Sequence, residues 1–305
     1  MGLIQKEEGS FNFGGVGRDS TVERPLFSVL PVPYDFTTSY MGGARRGPAA
    51  IIDASMNMEL YDEELECEPW QAGIETLTPL EVTTVGPEKM VQRVEAACTE
   101  LLEKGCLIPV LLGGEHSITT GTIRALKKKY PALSVLQLDA HADMRESYQE
   151  SPYNHACVAR RISEVCTLVQ VGIRSLSTEE AEFLGSTDRV NTYFAKDIVK
   201  EGMPLEDILS GLTEDVFVTI DLDVFDPSIM PSTGTPEPGG LGWYDVTGLL
   251  RCVAENRNIV GFDVVELSPM AGNVAPDFLA AKLVYKLMGY IIKNRQEGDS
   301  GAVCS

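Results

Sequence analysis

Leu133-Ser134-Val135-Leu136-Gln137-Leu138-Asp139-Ala140-His141-Ala142-Asp143 holds both the fold and the chemistry of this chain. Leu133–Leu138 is the kind of short, nearly continuous apolar run that forms a buried strand of a parallel sheet. It ends abruptly in two aspartates and a histidine at alternate positions. Side chains alternate along an extended segment, so Asp139, His141 and Asp143 are expected on one side and the two alanines on the other.

The same grammar repeats outward in both directions. Apolar runs at Leu26–Pro31, Leu107–Leu112, Leu168–Ile173, Val216–Ile220 and Ile259–Val265 alternate with helical patterns at 88–105, 117–129, 177–185, 243–255 and 276–293. Strands alternating with helices of this length predict βαβ units, and therefore an α/β protein with helices on both faces of a mainly parallel sheet. No linker, repeat or low-complexity block divides the 305 residues, so one three-layer α/β/α domain is expected, with its core over about 26–293 and loose polar termini. The acidic run Asp62, Glu63, Glu64, Glu66 and Glu68 reads as a solvated surface stretch.

Charge and composition exclude several roles. With 45 acidic against 25 basic residues the formal charge is −20, which argues against nucleic acid or an anionic membrane as partner and favours a small cationic ligand. Seven irregularly spaced cysteines form neither a disulfide framework nor a zinc finger, and no run is long and apolar enough for a membrane span. Reduced thiols and a cytoplasmic location are expected.

Two further segments join the first. His116 follows the strand ending at Leu112, in Gly113-Gly114-Glu115-His116-Ser117, and Asp221-Leu222-Asp223 follows Val216–Ile220 as a second extended segment, with both carboxylates expected on one side. All three lie beyond the carboxyl ends of strands, where open α/β sheets bind ligands. Four carboxylates held within ~4–6 Å of one another cost several kcal/mol unless cations neutralise them. Two divalent ions cancel the four charges. A set of aspartate oxygens and imidazoles without thiolate suits Mn²⁺ better than a structural zinc site. Two ions sharing four carboxylates require some to bridge, and they acidify a water between them.

GGEHS at 113–117, DAHAD at 139–143, TIDLDVFDP at 219–227, GTPEPGGL at 234–241 and DVVELSP at 263–269, with GARRGP at 43–48, resemble the motif set of the ureohydrolases, the arginase and agmatinase family. The resemblance spans roughly residues 26–290. It implies an arginase-like fold with an eight-stranded sheet, two Mn²⁺ per subunit, and assembly as a homotrimer or homohexamer. It also implies that His116 and Asp143 bind one ion, His141 and Asp223 the other, and that Asp139 and Asp221 bridge. Asp143 would also act in catalysis, Glu266 would pair with the substrate guanidinium, and His155 would shuttle a proton.

The substrate tail depends on residues outside these motifs. The loop 144–154 departs from the Asn and Ser that the arginase subgroup places there, the strand end Gly172-Ile173-Arg174-Ser175-Leu176-Ser177 carries serines where that subgroup has acids, and both, with NHACVARR at 154–161, are similar to bacterial and archaeal agmatinases. Agmatine, hydrolysed to putrescine and urea, is therefore the expected substrate, with Glu146 and Glu150 as candidates for its ammonium. Arg145 is the residue that would instead favour guanidinobutyrate. Arginase and other amidinohydrolase activities are the alternatives within this chemistry, and a metal-binding pseudoenzyme the alternative outside it. Asp226 before Pro227 reads as a turn-setting residue, Cys157 as an idle thiol, and the Gly113-Gly114 and Gly239-Gly240 pairs as backbone devices.

Overall fold

In the computed structural model, which describes residues 2–6, 11–16, 22 and 24–298, eight strands form one sheet. They are β1 (Phe27–Val32), β2 (Ile74–Thr76), β3 (Ile108–Gly113), β4 (Ser134–Leu138), β5 (Thr167–Ile173), β6 (Val190–Phe194), β7 (Asp215–Asp221) and β8 (Asn258–Val265). Every neighbouring pair is parallel, in the order β2-β1-β3-β8-β7-β4-β5-β6. The helices are α1 (Gly47–Ser55), α2 (Pro87–Glu103), α3 (Thr119–Lys129), α4 (Val158–Ser163), α5 (Thr178–Ser186), α6 (Ala195–Glu201), α7 (Leu205–Ser210), α8 (Trp243–Asn256) and α9 (Ala275–Gly298). Among the described residues no helix is long and apolar enough to cross a membrane.

Alternation along the strands assigns each face its helices. Leu136, Leu138, Val169, Val171, Val216, Val218, Ile220, Phe262 and Val264 share one core with buried residues of α1, α6, α7, α8 and α9. Val135, Leu168, Phe217 and Val260 face the opposite way, with residues of α3 and α4, while Leu30, Val32 and Leu111 pack with α2. This is the three-layer α/β/α architecture expected from the run pattern.

The short elements β2, β6, α1, α4, α6 and α7 have no counterpart in the sequence reading. β2 has three residues, and edge strand β6 is only half-buried, so neither offers a long apolar run. The loose-termini expectation falls largely outside the described residues, although α9 continues to Gly298, beyond the expected end at 293. No disulfide joins the described cysteines; Cys304 lies outside them.

The acidic run at 62–68 corrects an expectation. Asp62 is fully buried, with Lys286 Nζ of α9 at 2.8 Å from its Oδ1. Glu64 accepts from Lys286, Arg251 and Tyr290, while Glu63 and Glu66 do face solvent. A buried lysine arriving from a residue 224 positions away cannot be read from the local run.

Strand order positions the site. β3, β8, β7 and β4 are consecutive in the sheet although the chain reaches them in the order β3, β4, β7, β8. Crossovers on opposite sides of this group open a crevice at their carboxyl ends.

Candidate metal centre and active site

Four adjacent strand ends contribute the site. His116 follows β3 in a single 3₁₀ turn, 116–118; Asp139, His141 and Asp143 follow β4; Asp221 closes β7; and Glu266 follows β8. Gly114 is required before His116, because a Cβ there would run into the Tyr34 carbonyl.

The extended-segment reading holds for part of DAHAD. Asp139 N donates to Val171 O, and Ala142 N to Ser175 O at 3.1 Å each, so the chain continues beside the extension of β5. Ala140 and Ala142 are fully buried, opposite to the histidine. At Asp143 the alternation breaks, with φ +52°, a left-handed conformation that turns the backbone while its carboxylate stays in the cluster. For Asp221-Leu222-Asp223 the expectation of an extended segment is wrong. Leu222–Val224 is a 3₁₀ turn, closed by Asp223 N donating to Asp221 Oδ1 at 2.9 Å. A side-chain-capped turn competes successfully with strand continuation where an Asp can bond two residues onward.

The side chains converge. His116 Nδ1 lies 3.1 Å from Asp139 Oδ2, 3.3 Å from Asp143 Oδ2 and 3.5 Å from Asp221 Oδ2. His141 Nδ1 lies 2.9 Å from Asp223 Oδ2 and 3.7 Å from Asp139 Oδ1. Asp139 thus presents one oxygen to each imidazole. Two overlapping donor groups result: His116, Asp139 and Asp221, and Asp139, His141 and Asp223. Among the described residues these four aspartates pair with imidazoles and with no Lys or Arg.

The electrostatics reflect that missing cation. Burial and the neighbouring Asp139 charge push Asp143 up to about 7. Burial, Asp223 and Asp139 push Asp221 well above the carboxylate range. Asp139 itself is held low: burial would raise it, but the two imidazoles outweigh that. Burial opposes charge on His116 and His141, yet the surrounding carboxylates raise both.

His116 supplies a direct test of whether a metal fits. Thr219 Oγ1 donates to Asp263 Oδ1 at 2.6 Å, so its oxygen accepts from His116 Nε2 at 2.8 Å. The lone pair then sits on Nδ1, which is buried, has no hydrogen-bond partner and faces three carboxylate oxygens. On a neutral ring that lone pair would be aimed at three carboxylates, which is repulsive, so the position demands positive charge: a proton in metal-free protein, as the raised His116 reflects, or a divalent cation in its place. A ring nitrogen opposite a hydrogen-bonded N–H is also the usual arrangement of a metal-ligating histidine. The residues fit a metal.

The strands support these ligands with polar residues that the sequence reading passed over. Gln137 donates to Asp139 Oδ2 at 2.7 Å and is itself held by Gln170, which Thr192 holds in turn. Asp263 takes the hydroxyls of both Thr119 and Thr219, and burial pushes it up to about 6. The available signal was a polar residue inside an otherwise apolar strand, since such a group must find a partner when buried.

Above the ligands is a cavity of about 240 Å³, lined by His141, Asp143, Asp221, Asp223, His155 and Glu266 and extending to Arg145, Tyr148, Ser175, Ser177 and Glu180. Glu266 has φ +66° and accepts from His116 N through Oε1 at 2.8 Å; burial and the Glu115 charge push it up to about 8. Burial and the charges on His141 and His116 lower His155 to about 4.

The loop acids lie elsewhere. Glu146 pairs with Arg160 at 2.9 Å and Arg161 at 3.2 Å, outside the cavity lining. Glu150, also outside it, shares with Gln149 the tip of a tight turn closed by Tyr148 and Ser151, with φ of +64° and +48°. Arg145 does line the cavity, with Nε 3.9 Å from Glu180 Oε2 and its guanidinium 4.9 Å over the Tyr148 ring. The acid in the lining here is Glu180, which accepts from Met144 N and Ser177 N. Asp226 is a turn residue, accepting from Ser228, Gly239 and Gly240, and burial raises the Cys157 thiol to about 12.

Residues 26–289 match the Arginase family profile. An N(1)-aminopropylagmatine ureohydrolase from Synechocystis sp. is 40% identical over 86% of this chain and 88% of its own length. An agmatinase from Pyrococcus horikoshii is 36% identical over 86% of this chain and 91% of its own. The crystal structure of the agmatine ureohydrolase of Thermoplasma volcanium superposes with a TM-score of 0.81 at 31% identity, covering 94% of this chain and 96% of that one. With two overlapping Asp/His donor groups at the strand ends and this breadth of similarity, the chain belongs to the arginase family of binuclear-metal hydrolases, as an agmatinase-like ureohydrolase.

Proposed function

We propose that the chain hydrolyses the guanidino group of a linear, cationic alkylguanidine of the agmatine type, releasing urea and the corresponding amine. The observation that carries this reading is the convergence at the cavity of four aspartates and two imidazoles, with no lysine or arginine among the described residues paired to the aspartates. We assign His116 and Asp143 to one Mn²⁺ and His141 and Asp223 to the other, with Asp139 and Asp221 shared. When bound, the ions would offset the carboxylate charge and acidify a water as the nucleophile.

The chain's own residues do the rest. Glu266 has Oε1 fixed by His116 N, and its other oxygen is the one assigned to the guanidinium, which it aligns over the cluster. Asp143 holds the proton released on attack. His155, neutral at pH 7 because burial and its neighbours depress it, takes up that proton and returns it to the departing amine.

The tail requirement follows from the rest of the lining. Arg145 faces Glu180 and stacks on Tyr148, so it is not free to pair with a carboxylate-tailed substrate. An ammonium-tailed substrate suits both this arrangement and the charge of −20. Agmatine is the shorter candidate. The higher identity to the Synechocystis enzyme favours its N(1)-aminopropyl derivative as the better one. A cytoplasmic homotrimer or homohexamer, implied by the family resemblance, belongs to the same proposal.

The test is urea release from metal-depleted and Mn²⁺-reloaded protein with both of these compounds, guanidinobutyrate and arginine. Only reloaded protein should be active, with the aminopropyl derivative ahead of agmatine. The two carboxylate-bearing compounds should be at least about a hundredfold poorer in kcat/KM, a gap of roughly 2.7 kcal/mol. Arginine or guanidinobutyrate outpacing the cations would overturn the tail assignment. Undiminished activity after metal removal, verified by elemental analysis, would overturn the metal assignment.

A further inference from the structure

Two imidazoles in this site are each tied to a threonine that is tied in turn to a buried carboxylate, and the two ties use opposite ring nitrogens. For His116 the series is Nε2, Thr219, Asp263. For His155 it is Nδ1, Thr37, Glu115, joining the loops that follow β4, β1 and β3.

We propose that Thr37 and Glu115 are positioning residues for His155, holding its imidazole as the Nδ1–H tautomer so that Nε2 carries the lone pair. Glu115 is fully buried and receives three donors: Thr37 N at 2.6 Å and Thr37 Oγ1 at 2.7 Å, one on each oxygen, and Ser117 Oγ at 2.5 Å. Burial raises this carboxyl to about 7, but the three hydrogen bonds from Ser117 and Thr37 favour its ionised form, which only accepts. The single hydroxyl proton of Thr37 is therefore committed to Glu115, and the Thr37 oxygen can only accept. It does so from His155 N at 3.1 Å and from Nδ1 at 3.1 Å. Nδ1 must carry the hydrogen.

The loops are braced so that this geometry does not drift. Glu115 N donates to Tyr34 O at 2.7 Å, and the turn at His155 is capped by Asn154, whose side chain accepts from Ala156 N. The far edge of the ring belongs to the cavity, which His155 lines. A residue that accepts a proton from the reaction needs its free lone pair on that side, and the wrong tautomer would present a hydrogen there instead. Neither Thr37 nor Glu115 is in the cavity lining, so both act through His155. The catalytic consequence rests on the role proposed above for His155; the tautomer does not.

The chain has only three histidines, which makes a spectroscopic test practicable. Full-length protein labelled with ¹⁵N at histidine, loaded with diamagnetic Zn²⁺ and again metal-free, is examined by long-range ¹H–¹⁵N correlation, with His155→Asn used for assignment. The expected result is a pyrrole-type Nδ1 and a pyridine-type Nε2 for His155. In Thr37→Val the pattern should move toward Nε2–H. With Mn²⁺ restored, kcat should fall at least about tenfold while KM and metal content stay near the starting values. Thr37→Ser should restore both readouts.

A pyridine-type Nδ1 in the unmodified protein would overturn the proposal, and that measurement needs no variant to fold. An unchanged tautomer in Thr37→Val would overturn it as well. A shifted tautomer with kcat unchanged would support the relay while removing His155 from proton transfer, which separates this inference from the reading of function.

Discussion

Two acidic clusters in this protein have opposite fates. Buried Asp62 and solvent-exposed Glu64 meet Lys286 of α9, which is itself buried and whose ammonium lies 2.8 Å from an oxygen of each. At the carboxyl ends of β4 and β7, Asp139, Asp143, Asp221 and Asp223 find imidazoles but, among the described residues, no Lys or Arg. Burial would raise Glu64, but hydrogen bonds from Lys286, Tyr290 and Arg251 outweigh it and hold the carboxyl below its ordinary range. Asp143 and Asp221 are driven upward instead. The first cluster carries its counter-charge in the chain and is complete. The second is complete only with cations from outside, which is what makes it a functional site rather than a structural one.

The largest effect expected from breaking this comparison is at Lys286. Lys286→Met leaves Asp62 fully buried without its cation, so stability should fall by about 3–5 kcal/mol in metal-loaded and metal-free protein alike. Urea denaturation of both forms checks it. A loss that disappears on metal removal would mean the two clusters are not independent.

Asp221→Asn should act with the opposite sign. In metal-free protein it relieves repulsion among the aspartates while its amide oxygen can still accept from Asp223 N, so stability should rise by about 1 kcal/mol. Metal occupancy should fall. If instead the metal-free variant were destabilised as severely as Lys286→Met, the aspartates would be structural and the contrast would collapse.

The comparison can also be sharpened through the pH dependence of stability. In metal-free protein the folded Asp143 titrates near 7 and Asp221 is also raised, while in the unfolded chain both ionise near ~4. The folded state then binds more protons, and stability should fall as pH rises from about 4 toward 7. The raised imidazoles His116 and His141 add a loss in the same direction above about 6.5. Glu64, lowered, contributes stability present above about 4.3 and lost as pH falls below it. Metal-loaded protein should show the reverse slope over pH 5 to 7, because protons compete with the ions for the same ligands. Melting temperatures of both forms across this range check the crossing; parallel slopes would show that the aspartates do not bind the ions.

Much of this was legible in the chain. Six of the eight strands and the long helices were apparent from apolar runs and periodicity, because elements buried on both faces leave that imprint in local sequence. His116, Asp139, His141, Asp143, Asp221 and Asp223 stood out as candidates because acid and imidazole where a core strand ends have few other uses, whereas His155 and Glu266 were reached only through the resemblance to the family motifs. Glu146 and Glu150 were chosen for charge and proximity to DAHAD, and the fold turns both out of the cavity: one toward Arg160 and Arg161, the other to the tip of a strained turn.

The sequence by itself determined the layer architecture, the candidate ligand types and the excess of negative charge that calls for cations, since each follows from residue character read a few positions at a time. Tertiary structure alone decided that Lys286 would neutralise Asp62 across 224 residues, that Glu180 rather than Glu146 would line the cavity, and that Thr37 and Glu115 would close on His155. Those pairings join loops and helices distant in the chain, and only strand order and register determine which of them meet.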